Sequence, residues 1–130
     1  MNIQYLDLEH VIAIHDTLIE EFGGSLGIRD HGLLESAISQ AQQSFGGYEL
    51  YPSLFDKASA YAFFISENQP FIDGNKRTAA SSAGVFLDIN GYELNCTSGE
   101  VYVVMMKLAN KKLSKEDLSK WFEKNSNRKK

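Results

Sequence analysis

At 130 residues, with a net charge of −4 and one cysteine, Cys96, the chain is the size of a single domain and needs neither disulfides nor a structural metal to fold. Its longest apolar run, around Tyr61 to Ile65, is far short of the ~20 residues that a membrane span requires, and the mixed stretch Met1 to Asp7 is no signal region. A cytoplasmic protein with no membrane partner is the expectation, since an unpaired cysteine suits a reducing compartment.

The charge is uneven: fourteen acidic and four basic residues precede Lys107, whereas nine basic and three acidic ones follow from it onward. Residues 126–130, with Arg128, Lys129 and Lys130, read as a basic disordered tail at a solvated helix end. A nucleic-acid arm is the competing reading. Overall negative charge opposes it, because phosphate neutralisation drives such binding.

Helical periodicity with clear punctuation runs through the chain. Asp7 caps a first helix with the stripe Leu8, Val11, Leu18, Ile19 and Phe22, ended by Gly23 and Gly24. A second starts near Asp30 and carries Leu33, Leu34, Ala37, Ile38 and Ala41. Between Phe45 and Pro52, glycines and aromatics replace the helical period, which indicates a turn or short hairpin. Ser53 opens a third helix, apolar nearly all round and so suited to the middle of a bundle. A fourth, with Ala79, Ala83, Phe86 and Leu87, stops at Asn90-Gly91. Thr97 with Glu100, and Ser114 with Asp117, mark two further helix starts, the last helix presenting Leu118, Trp121 and Phe122. The expected fold is all-α: six helices around a central apolar one, with one short hairpin.

Chemistry concentrates in Glu67 to Ala80, a loop feeding the fourth helix. Asp73, Gly74 and Asn75 favour turns and caps. Lys76 and Arg77 then stand in the first turn, where the helix dipole disfavours cations. Two cations beside free backbone N–H groups make a phosphate cradle. A carboxylate next to it, Asp73, suits Mg²⁺, which binds carboxylate and phosphate oxygens together. The physical expectation is a site for a Mg-nucleotide or another phosphate ester.

Other chemistry-bearing residues point to packing. His15 lies on the stripe of the first helix and reads as a core histidine with a hydrogen-bond partner. His10 is five residues away, off its face, so the two do not make a metal pair, and none of His10, His15 and His31 lies in the motif. Cys96 reads as a small buried apolar residue, and Met105 and Met106 as helix packing.

The run from Pro70 to Ala79, P-F-I-D-G-N-K-R-T-A, resembles the signature of the Fic/Doc superfamily. The block from Phe22 through Ala37 and the one from Tyr51 through Tyr61 are similar to the death-on-curing (Doc) branch, in order and at matching spacing. The resemblance implies a Fic/Doc domain over residues 1–125, with ATP as substrate and Mg²⁺ as metal. Phe71 would anchor the loop and Asp73 would coordinate Mg²⁺. Gly74 and Asn75 would form the anion hole, with Lys76 and Arg77 on the phosphates. Gly47, Tyr48, Glu49, Leu50 and Tyr51 would belong to a flap that holds an extended segment of a target protein.

Three positions within the family pattern carry weight. Lys76 replaces the glycine of adenylyl-transferring members and Ala80 replaces a further arginine, which favours phosphoryl transfer to a Ser or Thr hydroxyl. Elongation factor Tu is the implied target, and a small antitoxin protein the implied regulator. Adenylyl transfer and an inactive binding module remain as alternatives. The third is Gln69, which stands where the family has its general-base histidine. An amide cannot hold a proton near neutral pH, and losing a positioned base costs ~10²–10⁴ in rate, so nucleotide binding with little transfer is expected.

Overall fold

In the computed structural model, which describes residues 2–130, the helix apolar on nearly every side is α3 (Leu54–Asn68). Ala58, Ala60, Tyr61, Ala62 and Ile65 are all buried along it. Its small residues let α4 (Asn75–Ile89) approach through Ala79 and Ala83, while Phe86 and Leu87 fill the space beyond. α3 packs most extensively on α4 and on α6 (Lys115–Lys124), which adds Leu118 and Phe122.

Around this centre lie α1 (Leu8–Phe22), α2 (His31–Ser39) with a short 3₁₀ turn at Gln40–Gln42, and α5 (Ser98–Ala109). The expected caps form: Asp7, Ser53, Thr97 and Ser114 each accept the N3 amide, and N3 side chains return the bond. The architecture is the all-α bundle of six helices that the periodicity predicts, among the described residues. No described helix is long and apolar enough to cross a membrane.

The short hairpin forms as β1 (Ser44–Phe45) against β2 (Tyr48–Glu49), with Phe45 opposite Tyr48. Gly46 and Gly47 both take positive φ, 58° and 86°, as a two-residue turn of the hairpin-compatible hand requires. The chain end departs from expectation. Residues 126–130 are not a disordered tail: Ser126–Arg128 form β4, antiparallel to β3 (Tyr92–Leu94). The reason lies in the backbone and the cations. The Asn95 amide donates to the Asn125 carbonyl at 2.7 Å and the Lys129 amide to the Gly91 carbonyl at 2.8 Å. The Arg128 guanidinium lies over the Tyr92 ring, and Lys129 pairs with Asp88.

Two packing expectations also need correction. Phe22 is 58% exposed, because it projects past the core at the end of α1 and meets Arg77 instead. Cys96 is half-buried on the wall of a surface cleft rather than in the core.

Candidate active site

The motif loop, residues 69–74, joins the two central helices and is tied down at every step. Gln69 closes α3 in the left-handed region, φ 45° and ψ 56°, a conformation that costs an L-residue about 1–2 kcal/mol. Arg29 holds it there: Nε donates to the Gln69 carbonyl at 2.7 Å and an Nη to the Asn68 carbonyl at 2.8 Å. The amides of Arg29 and Asp30 donate to the Pro70 carbonyl, and that of Ile72 to Gly27. The segment after α1 thus runs as an antiparallel clamp along the loop, with Ile28 bridged to Phe71.

Phe71 is buried, and its ring stacks face to face on the His15 imidazole, with centroids 3.8 Å apart and planes within 5°. The same imidazole donates from Nε2 to the Asp73 carbonyl at 2.8 Å. Asn75 reaches back over the turn: its Oδ1 accepts the Phe71 amide at 2.9 Å and its Nδ2 donates to the Phe71 carbonyl at 3.0 Å. The side chain of Asn75 therefore closes the loop, while its backbone opens the helix.

At the mouth of α4 the N-cap is Gly74, φ 78°. A Cβ there would stand 3.1 Å from Ile19 Cδ1, so both the conformation and the close packing favour glycine. Gly74 offers no side-chain cap, and the first turn holds no acidic residue. The orphan N–H groups of that turn are thus left for another acceptor. Lys76 and Arg77 are exposed beside them, and among the described residues neither has a carboxylate within 4.0 Å. The Arg77 guanidinium rests 4.5 Å above the Phe22 ring, which limits its orientations. Asp73 is exposed, and its Oδ2 accepts the Ser25 amide at 2.9 Å.

Lys76 and Arg77 also form one edge of a cleft of about 490 Å³ between α1, α4 and α5, floored by Leu18, Phe22, Tyr102 and Met105. Cys96 lines it too, but burial, aided by Glu100, pushes its thiol pKa up, away from nucleophilic chemistry. Among the described residues no group of three His, Cys, Asp or Glu side chains converges on one point. Asp73 stands as a single carboxylate beside the anion-accepting turn, a donor set that suits Mg²⁺ only when phosphate oxygens complete it.

The hairpin forms a separate surface. Residues 42–50 are exposed throughout, Phe45 and Tyr48 at 81% each. Glu49 and Tyr51 are tied to the body by Lys57 of α3.

The structure brings Gln69, Phe71, Asp73, Gly74, Asn75, Lys76 and Arg77 onto one loop and helix start, and sets Gly47 to Tyr51 apart on the hairpin and its root. Sequence reasoning missed Arg29, Lys57 and Phe22 as supports. Only Lys57 leaves a signal, as a cation in a helix otherwise apolar on nearly all sides.

The model of the Fic/DOC family matches residues 5–87. The chain is 43% identical over 91 residues to "Toxin Doc" of Mycolicibacterium smegmatis, covering 70% of this chain and 68% of that protein. It is 35% identical over 92 residues to "Protein kinase doc" of Escherichia phage P1, covering 71% and 72%. The chain belongs to the Fic/DOC family, and these two relatives put it on the Doc branch.

Proposed function

We propose that the chain is a Doc-type toxin of a toxin–antitoxin pair whose site transfers the γ-phosphoryl group of ATP to a Ser or Thr hydroxyl of a translation factor. The observation that carries the reading is the start of α4: a first turn without a side-chain cap, with two exposed cations that among the described residues have no carboxylate within 4.0 Å, beside one carboxylate. ATP phosphates would lie against the amides of Asn75, Lys76 and Arg77, with both cations offsetting their charge. Asp73 would hold Mg²⁺, which shields phosphate charge when bound. The names of the two relatives, a toxin and a protein kinase, favour phosphoryl over adenylyl transfer.

In the reaction, the target hydroxyl oxygen forms a bond to the γ-phosphorus as the bond to the β–γ bridging oxygen breaks, and ADP leaves. The hydroxyl proton must go to a base. Position 69, held by Arg29 at the lip of the loop, carries an amide that cannot take it. The chain therefore binds nucleotide and transfers slowly. Elongation factor Tu is the target that the family resemblance implies. The cleft between α1, α4 and α5, apolar with Lys76 and Arg77 at its edge, suits an amphipathic segment of the antitoxin with acidic residues. Gln69 itself favours a second reading, a binding module that has lost transfer.

The test is Gln69→His, incubated with cell lysate and ATP labelled at the α or the γ phosphate. The reading predicts γ-label transfer at least ~10²-fold faster for the histidine form than for the chain as it stands. Transfer of α label would replace it with adenylylation. Nucleotide binding without transfer by either form would leave the binding module.

A further inference from the structure

We propose that Lys57 is the positioning residue of the target hairpin: a single buried ammonium sets where β1 and β2 stand relative to the helical body. The proposal rests on the reading of that hairpin as the flap for the target protein.

Lys57 is the one lysine with no exposure, enclosed in α3 between Asp56 and Ala58. A cation in such surroundings is costly unless its donors are met, and a stretched amine chain in a core gains nothing over leucine or methionine. Its donors are met by the hairpin and its root. Nζ donates to Glu49 Oε1 at 3.0 Å, on β2, and to the carbonyl of Tyr51 just beyond it. Tyr5, from the segment ahead of α1, faces the same ammonium at 6.0 Å.

What else fastens the hairpin is slight. Its residues from 42 to 50 are exposed, so no side chain of that stretch is buried in the body. The two strands pair with each other, and the Leu50 amide donates to the Gln43 carbonyl at 2.9 Å, which closes the hairpin on itself. An isolated two-stranded hairpin of this length is marginal in water. Tyr51, at its root, meets Phe64 edge-on and lies under the Lys115 ammonium, which also faces Phe63 and Phe64. Those contacts hold the root. Beyond it, among the described residues, the strands themselves are joined to a body side chain by hydrogen bond or ion pair through Lys57 and Glu49.

The geometry has a consequence for specificity. Glu49 is half-exposed, so its carboxylate is shared between the buried amine and the outer face of β2. With Glu49 pulled inward, Tyr48 and Phe45 are left outward as a cross-strand pair, ready for an apolar side chain of an extended segment. Removing the amine frees β2 to shift without touching the loop at 69–74.

Two variants test this, each in the Gln69→His form. Lys57→Met keeps length and apolar volume at a buried site, and Glu49→Gln alters only a half-exposed side chain and has little effect on folding. Amide hydrogen exchange at residues 44–50 should accelerate on the order of tenfold in both, with exchange across α3 and α4 unchanged, as expected when a tie of roughly 1.4 kcal/mol is lost. KM for the protein target should rise by a similar factor while KM for ATP and kcat hold. Unchanged hairpin exchange in both variants overturns the proposal. So does a fall in kcat or ATP affinity with unchanged target KM, which would mark Lys57 as part of the core alone. Absence of transfer in the Gln69→His parent, with accelerated hairpin exchange in the variants, would sink the phosphotransfer reading and leave the anchoring role standing.

Discussion

The motif loop and the hairpin are both short connections, yet the molecule holds them in opposite ways. The loop is over-determined. Arg29 and the backbone of residues 27–30 grip one edge, His15 and Phe71 stack beneath it, and Asn75 closes it from within. The hairpin has its own turn and register but almost no burial, and its strands meet the body through the Glu49–Lys57 ion pair. The difference matches what each must do under the proposed function. Phosphates need donors fixed to within fractions of an ångström. An extended protein segment needs a strand edge that adjusts to it.

The contrast is broken most sharply by trimming one aromatic from each region. Phe71→Ala removes a buried ring from its stack on His15 and should cost about 3–5 kcal/mol of stability, a large share of a domain's total. Phe45→Ala, at the exposed tip, should change stability by no more than ~0.5 kcal/mol. Chemical denaturation of the two variants side by side reads the difference. Equal losses would mean that the hairpin is packed as firmly as the loop.

A smaller effect sharpens the same comparison from the core side. Burial pushes the Tyr61 pKa up to about 12 from an ordinary 10.0, with its hydroxyl accepting the Leu6 amide and donating to the Leu6 carbonyl. A pKa raised on folding means that the unfolded chain gives up this proton first. The contribution is therefore fully present below pH ~10 and is lost as pH climbs towards 12. Denaturant midpoints followed across that window should fall. In Tyr61→Phe the fall from this source should vanish.

Much of this was legible in the residues. Caps at Asp7, Ser53, Thr97 and Ser114 are local signals, since a side chain three residues from its partner decides them, and all four form. The all-round apolar character of α3 placed it in the centre. The loop from Gln69 to Arg77 stood out because turn formers followed by two cations at a helix start run against the dipole. What stayed hidden depends on distant pairing. Nothing in the residues around Arg29 says that its guanidinium caps carbonyls 39 and 40 positions away. His15 read correctly as a core histidine, but its partner, the Asp73 carbonyl, lies 58 positions on. The basic end read as a frayed tail because composition reports charge and not the β3 edge that the last residues pair with. Lys57 went unread, and only the fold shows that it faces the hairpin.

The central claim is that the loop is a working nucleotide site despite Gln69, since the braces that shape it do not involve that side chain. Calorimetric titration of Mg-ATP into the chain as it stands, alongside its Gln69→His form, tests this most directly. The account predicts saturable binding to both with affinities within a few-fold, and loss of binding by at least tenfold in Arg77→Ala, roughly the value of one charge-assisted contact. Failure of the chain to bind Mg-ATP, or binding that ignores Arg77, would contradict it.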